Sequence, residues 1–177
     1  LTIEKRAVTL TSANLEKPYD GTPLTNGETP LATEEGWVTG EGATYTFTGS
    51  QTKVGESKNT FTYELNEGTK ADNYEITTEF GTLKVTDRSE KYEIALTGNS
   101  GKVTYNGTEH TVSGFKTMTF KFNDVTYTVS GVSTSVSGTD ADDYSADPVD
   151  TTAAKVTTEI DGESVDVTNQ FKVTATP

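Results

Sequence analysis

Val8-Thr9-Leu10-Thr11 is followed, nine residues after Leu10, by Tyr19-Asp20-Gly21-Thr22, and Ile94-Ala95-Leu96-Thr97 is followed, nine residues after Leu96, by Tyr105-Asn106-Gly107-Thr108. Both matches share an offset of 86 residues. The correspondence continues in order. Tyr45-Thr-Phe-Thr-Gly49 matches Tyr127-Thr-Val-Ser-Gly131 at offset 82, and Gly55 and Phe61 match Gly138 and Tyr144 at offset 83. Asn73-Tyr-Glu-Ile76 matches Gln170-Phe-Lys-Val173 at offset 97. Blocks that keep their order while the gaps between them vary indicate two copies of one domain of about 85 residues, with loops of unequal length.

Within the copies the apolar residues alternate. Tyr45-Thr-Phe47, Phe61-Thr-Tyr63-Glu-Leu65, Val125-Thr-Tyr127-Thr-Val129 and Phe171-Lys-Val173-Thr-Ala175 each place every second side chain on one face. That period buries one face of a strand and wets the other. Threonine, 36 of the 177 residues, suits the wet face because its branched Cβ favours extended backbone. Turn signals separate the runs: Asn26-Gly27, Gly40-Glu-Gly42, Asn66-Glu-Gly68, Asn106-Gly107 and Asp161-Gly162. No amphipathic helix is legible, and residues 27–36 and 150–157 carry the weakest pattern. The expected class is all-β, as two tandem sandwiches.

The composition narrows function by exclusion. With 27 acids, 14 bases and a net charge of −13, the chain has no means of neutralising a run of phosphates or docking on an anionic membrane. No apolar stretch approaches the roughly 20 residues that span a bilayer. The absence of cysteine and the single histidine leave no thiol catalysis, disulfide framework or Cys/His zinc site, and no cofactor is indicated. The charge divides as −6 for residues 1–88 and −7 for residues 89–177, so acidity belongs to the repeat and not to a tail.

The ends carry a further pattern. Leu83-Lys-Val85-Thr-Asp-Arg88 closes the first copy, and Leu1-Thr-Ile3-Glu-Lys-Arg6 opens the chain with the same pattern. Residues 1–6 are therefore expected to be the end strand or linker of a preceding repeat, 7–86 the first repeat, 87–91 a linker, and 92–177 a second repeat lacking its last strand. The apolar positions change parity between Ile3 and Val8 and between Val85 and Ile94, so a kink or bulge is expected near residues 4–7 and 87–92. An excised piece of a longer tandem array would have this make-up. A missing last strand would leave an edge to which Leu1–Lys5 of another molecule could add, in head-to-tail strand exchange.

Tyr19-Asp-Gly-Thr22, Gly49-Ser-Gln-Thr-Lys-Val-Gly55, Asn73-Tyr-Glu-Ile76 and Gly81-Thr-Leu-Lys-Val85 together resemble the MBG-type repeats of bacterial surface proteins. The resemblance covers most of residues 7–86 and, more loosely, 92–175. The second copy departs from it at Asn106, which stands where Asp20 does, and in lacking the Gly-Thr-Leu strand. The resemblance implies immunoglobulin-like modules standing in tandem in large, extracellular, cell-wall-attached proteins of Gram-positive bacteria. A β-grasp-like repeat is the alternative fold. The family offers no agreed catalytic residues.

Candidate sites follow from residue type. Asp20-Gly21 and Asn106-Gly107 suit tight turns needing positive φ, with Tyr19 and Tyr105 as anchors on the sandwich. Asp140, Asp142 and Asp143 form the densest acidic cluster and offer oxygens for calcium, although their spacing does not match an EF-hand loop. Trp37, the only tryptophan, stands beside Glu34 and Glu35; an aromatic plane with acids is the usual face for a sugar. Neighbouring acids on a strand point to opposite faces, so neither Glu34/Glu35 nor Asp142/Asp143 forms a catalytic pair, and His110 has no triad pattern around it. Catalysis is not expected. The function expected first is a structural stalk or spacer of a wall-attached surface protein, its partners being neighbouring repeats. The alternative is an adhesin module that binds host glycan, mucin or matrix protein through Trp37 and nearby loops.

Overall fold

The computed structural model describes residues 1–177. The chain is all-β: its only helical segments are two 3-10 turns, Ala71–Asn73 and Thr168–Gln170. It divides into two compact units, Leu1–Asp87 and Arg88–Pro177. No helix is long and apolar enough to cross a membrane.

Unit 1 contains β1 (Arg6–Thr11), β2 (Leu15–Pro18), β3 (Leu24–Thr25), β4 (Thr33–Glu35), β5 (Ala43–Phe47), β6 (Ser50–Gln51), β7 (Gly55–Lys58), β8 (Phe61–Leu65), β9 (Tyr74–Glu79) and β10 (Thr82–Thr86). They form small sheets of order β4-β1-β9, β2-β10-β7, β3-β6 and β5-β8. In β1 the alternation works as the sequence implies: Val8 and Leu10 are buried while Ala7 and Thr9 face solvent. Val8, Leu10, Phe61 and Tyr74 make the core, with Leu31, Trp37, Tyr45, Phe47 and Ile76 packed on it. Phe61 holds Tyr45, Phe47 and Phe80 at centroid distances of 6.0, 5.7 and 5.4 Å, within the usual range for aromatic pairs.

Two bent paths run side by side through unit 1. β1 lies parallel to β9 with Arg6 opposite Tyr74, and beyond the bends β2 lies parallel to β10 with Leu83 opposite Leu15. The bends nest closely. A Cβ on Gly81 would stand 2.4 Å from the Ala13 carbonyl oxygen, so only glycine fits. Buried polar groups join them. Ser12 Oγ donates to the Asn59 carbonyl (2.6 Å) and accepts from the Gly81 amide (2.9 Å). Asn59 Nδ2 donates to Asn26 Oδ1 (2.7 Å) and to the Ala13 carbonyl (2.9 Å), and the Asn59 amide donates to the Gly81 carbonyl (2.8 Å). Ser12, Asn26 and Asn59 are all buried. In so thin a core, these groups fix where the path crosses from β9 to β10.

Unit 2 contains β11 (Tyr92–Thr97), β12 (His110–Ser113), β13 (Thr119–Phe122), β14 (Val125–Ser130), β15 (Ser135–Gly138), β16 (Lys155–Ile160), β17 (Glu163–Asp166) and β18 (Phe171–Thr176). β11 pairs with β18, β12 with β15, and the rest form a sheet of order β13-β14-β16-β17. Its core is built from Ile94, Leu96, Tyr127, Val129, Val156, Ile160 and Phe171. Tyr127 and Phe171 lie 4.7 Å apart, and Tyr92 stacks on Phe122 at 4.9 Å. Two hairpins close on two-residue turns with both residues at positive φ: Asn123-Asp124 (49° and 62°) and Asp161-Gly162 (54° and 79°). That geometry matches the twist of antiparallel strands.

The units share a frame. β11 is parallel to β18 with Tyr92 opposite Phe171, which reproduces the β1–β9 register, and in both units a 3-10 turn leads into the partner strand. Gly49 and Gly131 abut equivalent backbone, at Lys58–Asn59 and Ala153–Ala154. The middle of the alignment needs correcting. Phe47 lies opposite Phe61 and Val129 opposite Val156, so the counterpart of Phe61 is Val156, not Tyr144. Leu24 pairs with Gln51 and His110 with Gly138, so Gly138 matches Gln51 rather than Gly55. Extra residues between β15 and β16 shift the register, and a comparison led by glycines and aromatics does not detect them. Residues 1–5 are in no strand, and β10 ends at Thr86 before β11 starts at Tyr92, so the changes of parity fall at strand boundaries and not at a kink or bulge within a strand.

Unit 1 has ten strands and unit 2 eight, and their pairing differs: β4 adds to β1 in unit 1, while β13 and β17 flank β14 and β16 in unit 2. In unit 2, residues 99–109 belong to no strand. The polar lock is gone as well, since Gly98 and Ala154 stand at the positions of Ser12 and Asn59.

Candidate functional site

Trp37 lies at the rim of the unit 1 core and is half-buried. Its ring meets Tyr74 edge-on at 4.9 Å. Its indole Nε1 donates to Tyr45 Oη at 3.4 Å, a long contact, and Tyr45 Oη donates to Glu34 Oε1 at 2.6 Å. Tyr74 Oη donates to Glu41 Oε2 and accepts from the Val38 amide at 3.2 Å. Burial, reinforced by the Glu34 carboxylate, pushes the Tyr45 phenol up to about 12, and burial with the Glu41 carboxylate raises that of Tyr74 as well. Both phenols therefore stay protonated and donate. Trp37 and Glu34 are thus brought together through Tyr45. Glu35 is not part of the group: it is exposed, in register with Thr9 on β1. Tyr45, Tyr74 and Glu41 were not singled out from sequence, and the only signal for them was the repeated blocks that hold the two tyrosines.

The two Tyr-x-Gly-Thr turns fold alike. Asp20 Oδ1 accepts from the Thr22 amide (2.9 Å), the Thr22 hydroxyl (2.7 Å) and Lys17 Nζ (2.8 Å). Burial pushes the Asp20 carboxyl up, but the Lys17 and Thr22 hydrogen bonds together outweigh it and hold the group below its ordinary value. Asn106 Oδ1 accepts from the Thr108 amide and hydroxyl and lies 2.9 Å from His110 Nε2. Gly21 and Gly107 have positive φ, as expected. The anchors do not behave alike. Tyr19 is 0% exposed and Tyr105 is 62% exposed. Tyr19 lies just beyond the β2–β10 pairing, its amide bonded to the Thr86 carbonyl at 2.8 Å, whereas Tyr105 lies in a segment that belongs to no strand.

Asp140, Asp142 and Asp143 do not converge. No group of three or more His, Asp or Glu side chains is placed to hold a metal ion. Asp142 Oδ1 instead accepts the amide of Asp143 at 2.8 Å, and Tyr144 Oη donates to the Asp140 carbonyl at 3.3 Å. Acids close in sequence on an open loop turn outward to water, where their repulsion is least.

A groove of about 610 Å³ lies in unit 2. Residues 99–105 border it on one side and 139–146 on another, with Val112 and Val136 of β12 and β15 also lining it. Val103 is 66% exposed within it, and Tyr105 and Tyr144 are also exposed. No protein-family model matches the chain, and no curated protein and no solved structure matches it.

Proposed function

We propose that the chain supplies two immunoglobulin-like β-sandwich modules to the stalk of a large bacterial surface protein attached to the cell wall, where they act as spacers. The observation that carries this reading is the threading of each unit. The first strand and its partner from the other end of the unit run parallel, Arg6 to Thr11 beside Tyr74 to Glu79 and Tyr92 to Thr97 beside Phe171 to Thr176. A chain so threaded enters at one end of its ladder and leaves at the other. Tension along it pulls the paired strands past one another, so the ladder hydrogen bonds share the load instead of opening one at a time. The comparable acidity of both halves supports the reading, because like-charged modules in a crowded array stay soluble and extended. The resemblance to MBG-type repeats supports the wall-attached setting.

The competing reading is an adhesin, favoured by the meeting of Trp37, Tyr45 and Glu34 at the solvent boundary. A panel of glycans, mucin and matrix proteins separates the two. The spacer reading predicts no binding. Binding that disappears in Trp37→Ala, with unit 1 still folded, would replace it with the adhesin reading.

A further inference from the structure

We propose that Asn106 is a self-modifying residue: its side-chain amide is lost spontaneously as ammonia, and the turn at residues 105–110 becomes an acidic one. Asn106-Gly107 is one of two Asn-Gly pairs in the chain, the other being Asn26-Gly27. A glycine after asparagine has no Cβ to shield its amide nitrogen, which can therefore reach the preceding carboxamide. A Cβ built on Gly107 would meet nothing closer than Tyr105 Oη at 3.9 Å, so the approach is open. In the reaction the Gly107 amide gives its proton to hydroxide, and its nitrogen bonds to Asn106 Cγ. The Cγ–Nδ2 bond breaks, ammonia leaves with a proton taken from water, and a five-membered imide remains. Water then opens the imide. Opening at Cγ gives aspartate, and opening at the backbone carbonyl gives isoaspartate, with the chain running through the side chain.

Three donors meet the oxygen on which negative charge builds as the nitrogen attacks. The Thr108 amide lies 3.0 Å from Asn106 Oδ1, the Thr108 hydroxyl 2.7 Å and His110 Nε2 2.9 Å. A carboxamide oxygen only accepts, so the histidine carries its proton on Nε2. Donors so placed stabilise the tetrahedral intermediate as an oxyanion hole does. Nδ2 makes no hydrogen bond, so the fold does not hold the leaving group. Asn106, Gly107 and Thr108 are exposed, and hydroxide and water reach them. Asn26 is arranged the opposite way. It is 2% exposed, its Nδ2 donates to the Thr29 carbonyl at 2.6 Å, and its Oδ1 is engaged by Asn59 at 2.7 Å. Its leaving group is tied down and water is kept out. Unit 1 also displays the product. At the matching turn Asp20 Oδ1 accepts from the Thr22 amide and hydroxyl, and a basic side chain completes the set, Lys17 there and His110 in unit 2. Conversion to aspartate gives unit 2 the acidic turn that unit 1 carries in its sequence.

Peptide mapping by mass spectrometry tests this on the full chain, held folded in mildly alkaline buffer. The expected result is exchange of NH2 for OH at Asn106 at least about tenfold ahead of Asn26, a factor equal to about 1.4 kcal/mol of barrier. Isoaspartate, detected by enzymatic methylation, should appear in the same peptide. In strong urea both pairs are free chain, and the two should convert at like rates. Thr108→Val, which removes the exposed hydroxyl donor, should slow Asn106 several-fold in the folded chain and leave its rate in urea unchanged. Thr108→Ser keeps the hydroxyl and should keep the wild-type rate. Equal conversion of Asn26 and Asn106 in the folded chain would overturn the proposal. So would an Asn106 that stays intact when folded while the urea sample converts, or a folded Thr108→Val chain that reacts as fast as wild type.

Discussion

Replacing Asn59 by alanine tests the buried polar lock that separates unit 1 from unit 2. The substitution removes the Nδ2 donor that satisfies Asn26 Oδ1 at 2.7 Å and the Ala13 carbonyl at 2.9 Å. Each acceptor, once buried and unpaired, costs about 1–3 kcal/mol. One term offsets this. Asn59 Oδ1 itself has no hydrogen-bond partner, and its removal returns about 1–2 kcal/mol. The net loss centres on about 2–3 kcal/mol, a large part of the roughly 5–15 kcal/mol that holds a domain together. The assay is urea unfolding of the full chain read by tryptophan fluorescence, which sees unit 1 alone because Trp37 is the only tryptophan. With a slope of about 1.5 kcal/mol/M, the midpoint falls by about 1.3–2 M. The part of the circular dichroism transition that belongs to unit 2 should not move, since Ala154 already occupies the matching position there. A fluorescence shift below about 0.5 M, or an equal shift in both units, would refute the reasoning.

Three further outcomes follow from the same structure. Gly81→Ala places a Cβ 2.4 Å from the Ala13 oxygen and 2.5 Å from that of Ser12, so unit 1 should lose at least about 2 kcal/mol by the same fluorescence assay. The Tyr45 phenol, raised to about 12, keeps its proton in the folded state where the unfolded chain loses it, so the stability of unit 1 should fall as pH rises from 10 to about 12. Tyr45→Phe should flatten that fall in alkaline unfolding curves. Thermal melts with calcium and with chelator should coincide, because the acids at 140–143 do not converge; a calcium-dependent rise in Tm would contradict the geometry.

The sequence is most legible where burial alternates. The strands holding Tyr45, Phe61, Val125–Val129 and Phe171 are read directly, because each buries one face and wets the other with threonine. β4 is illegible for a physical reason: Thr33–Glu35 is polar throughout and forms a strand only by pairing with β1. The Asn123-Asp124 turn lacks the glycine that usually marks such hairpins, yet both residues tolerate positive φ. Ser12, Asn26 and Asn59 look like loop residues, and only distant segments reveal their burial. The exposure of Tyr105 is the plainest case. Its local sequence repeats that of Tyr19, but Tyr19 is buried beside β10, a strand more than sixty residues away, and nothing in the local sequence carries that contact. Of the candidate binding residues, Trp37 and Glu34 are joined through Tyr45 and Glu35 is not, because neighbours on a strand face opposite ways.

The proposed spacer role requires that two like-threaded modules, consecutive in the chain, each bear load through parallel terminal strands, with unit 1 further held by β2–β10 and the buried Ser12, Asn26 and Asn59 groups. Single-molecule pulling on the two ends of the chain tests it most directly. Each unit folds about 80–85 residues, which extend to about 3.6 Å apiece, less a folded span of roughly 20–40 Å. The account predicts two separate unfolding events, each releasing about 250–290 Å, with the first and weaker event belonging to unit 2. Gly81→Ala should lower the force of the second event only. A single cooperative event, or two in which unit 1 gives way first, would contradict the account.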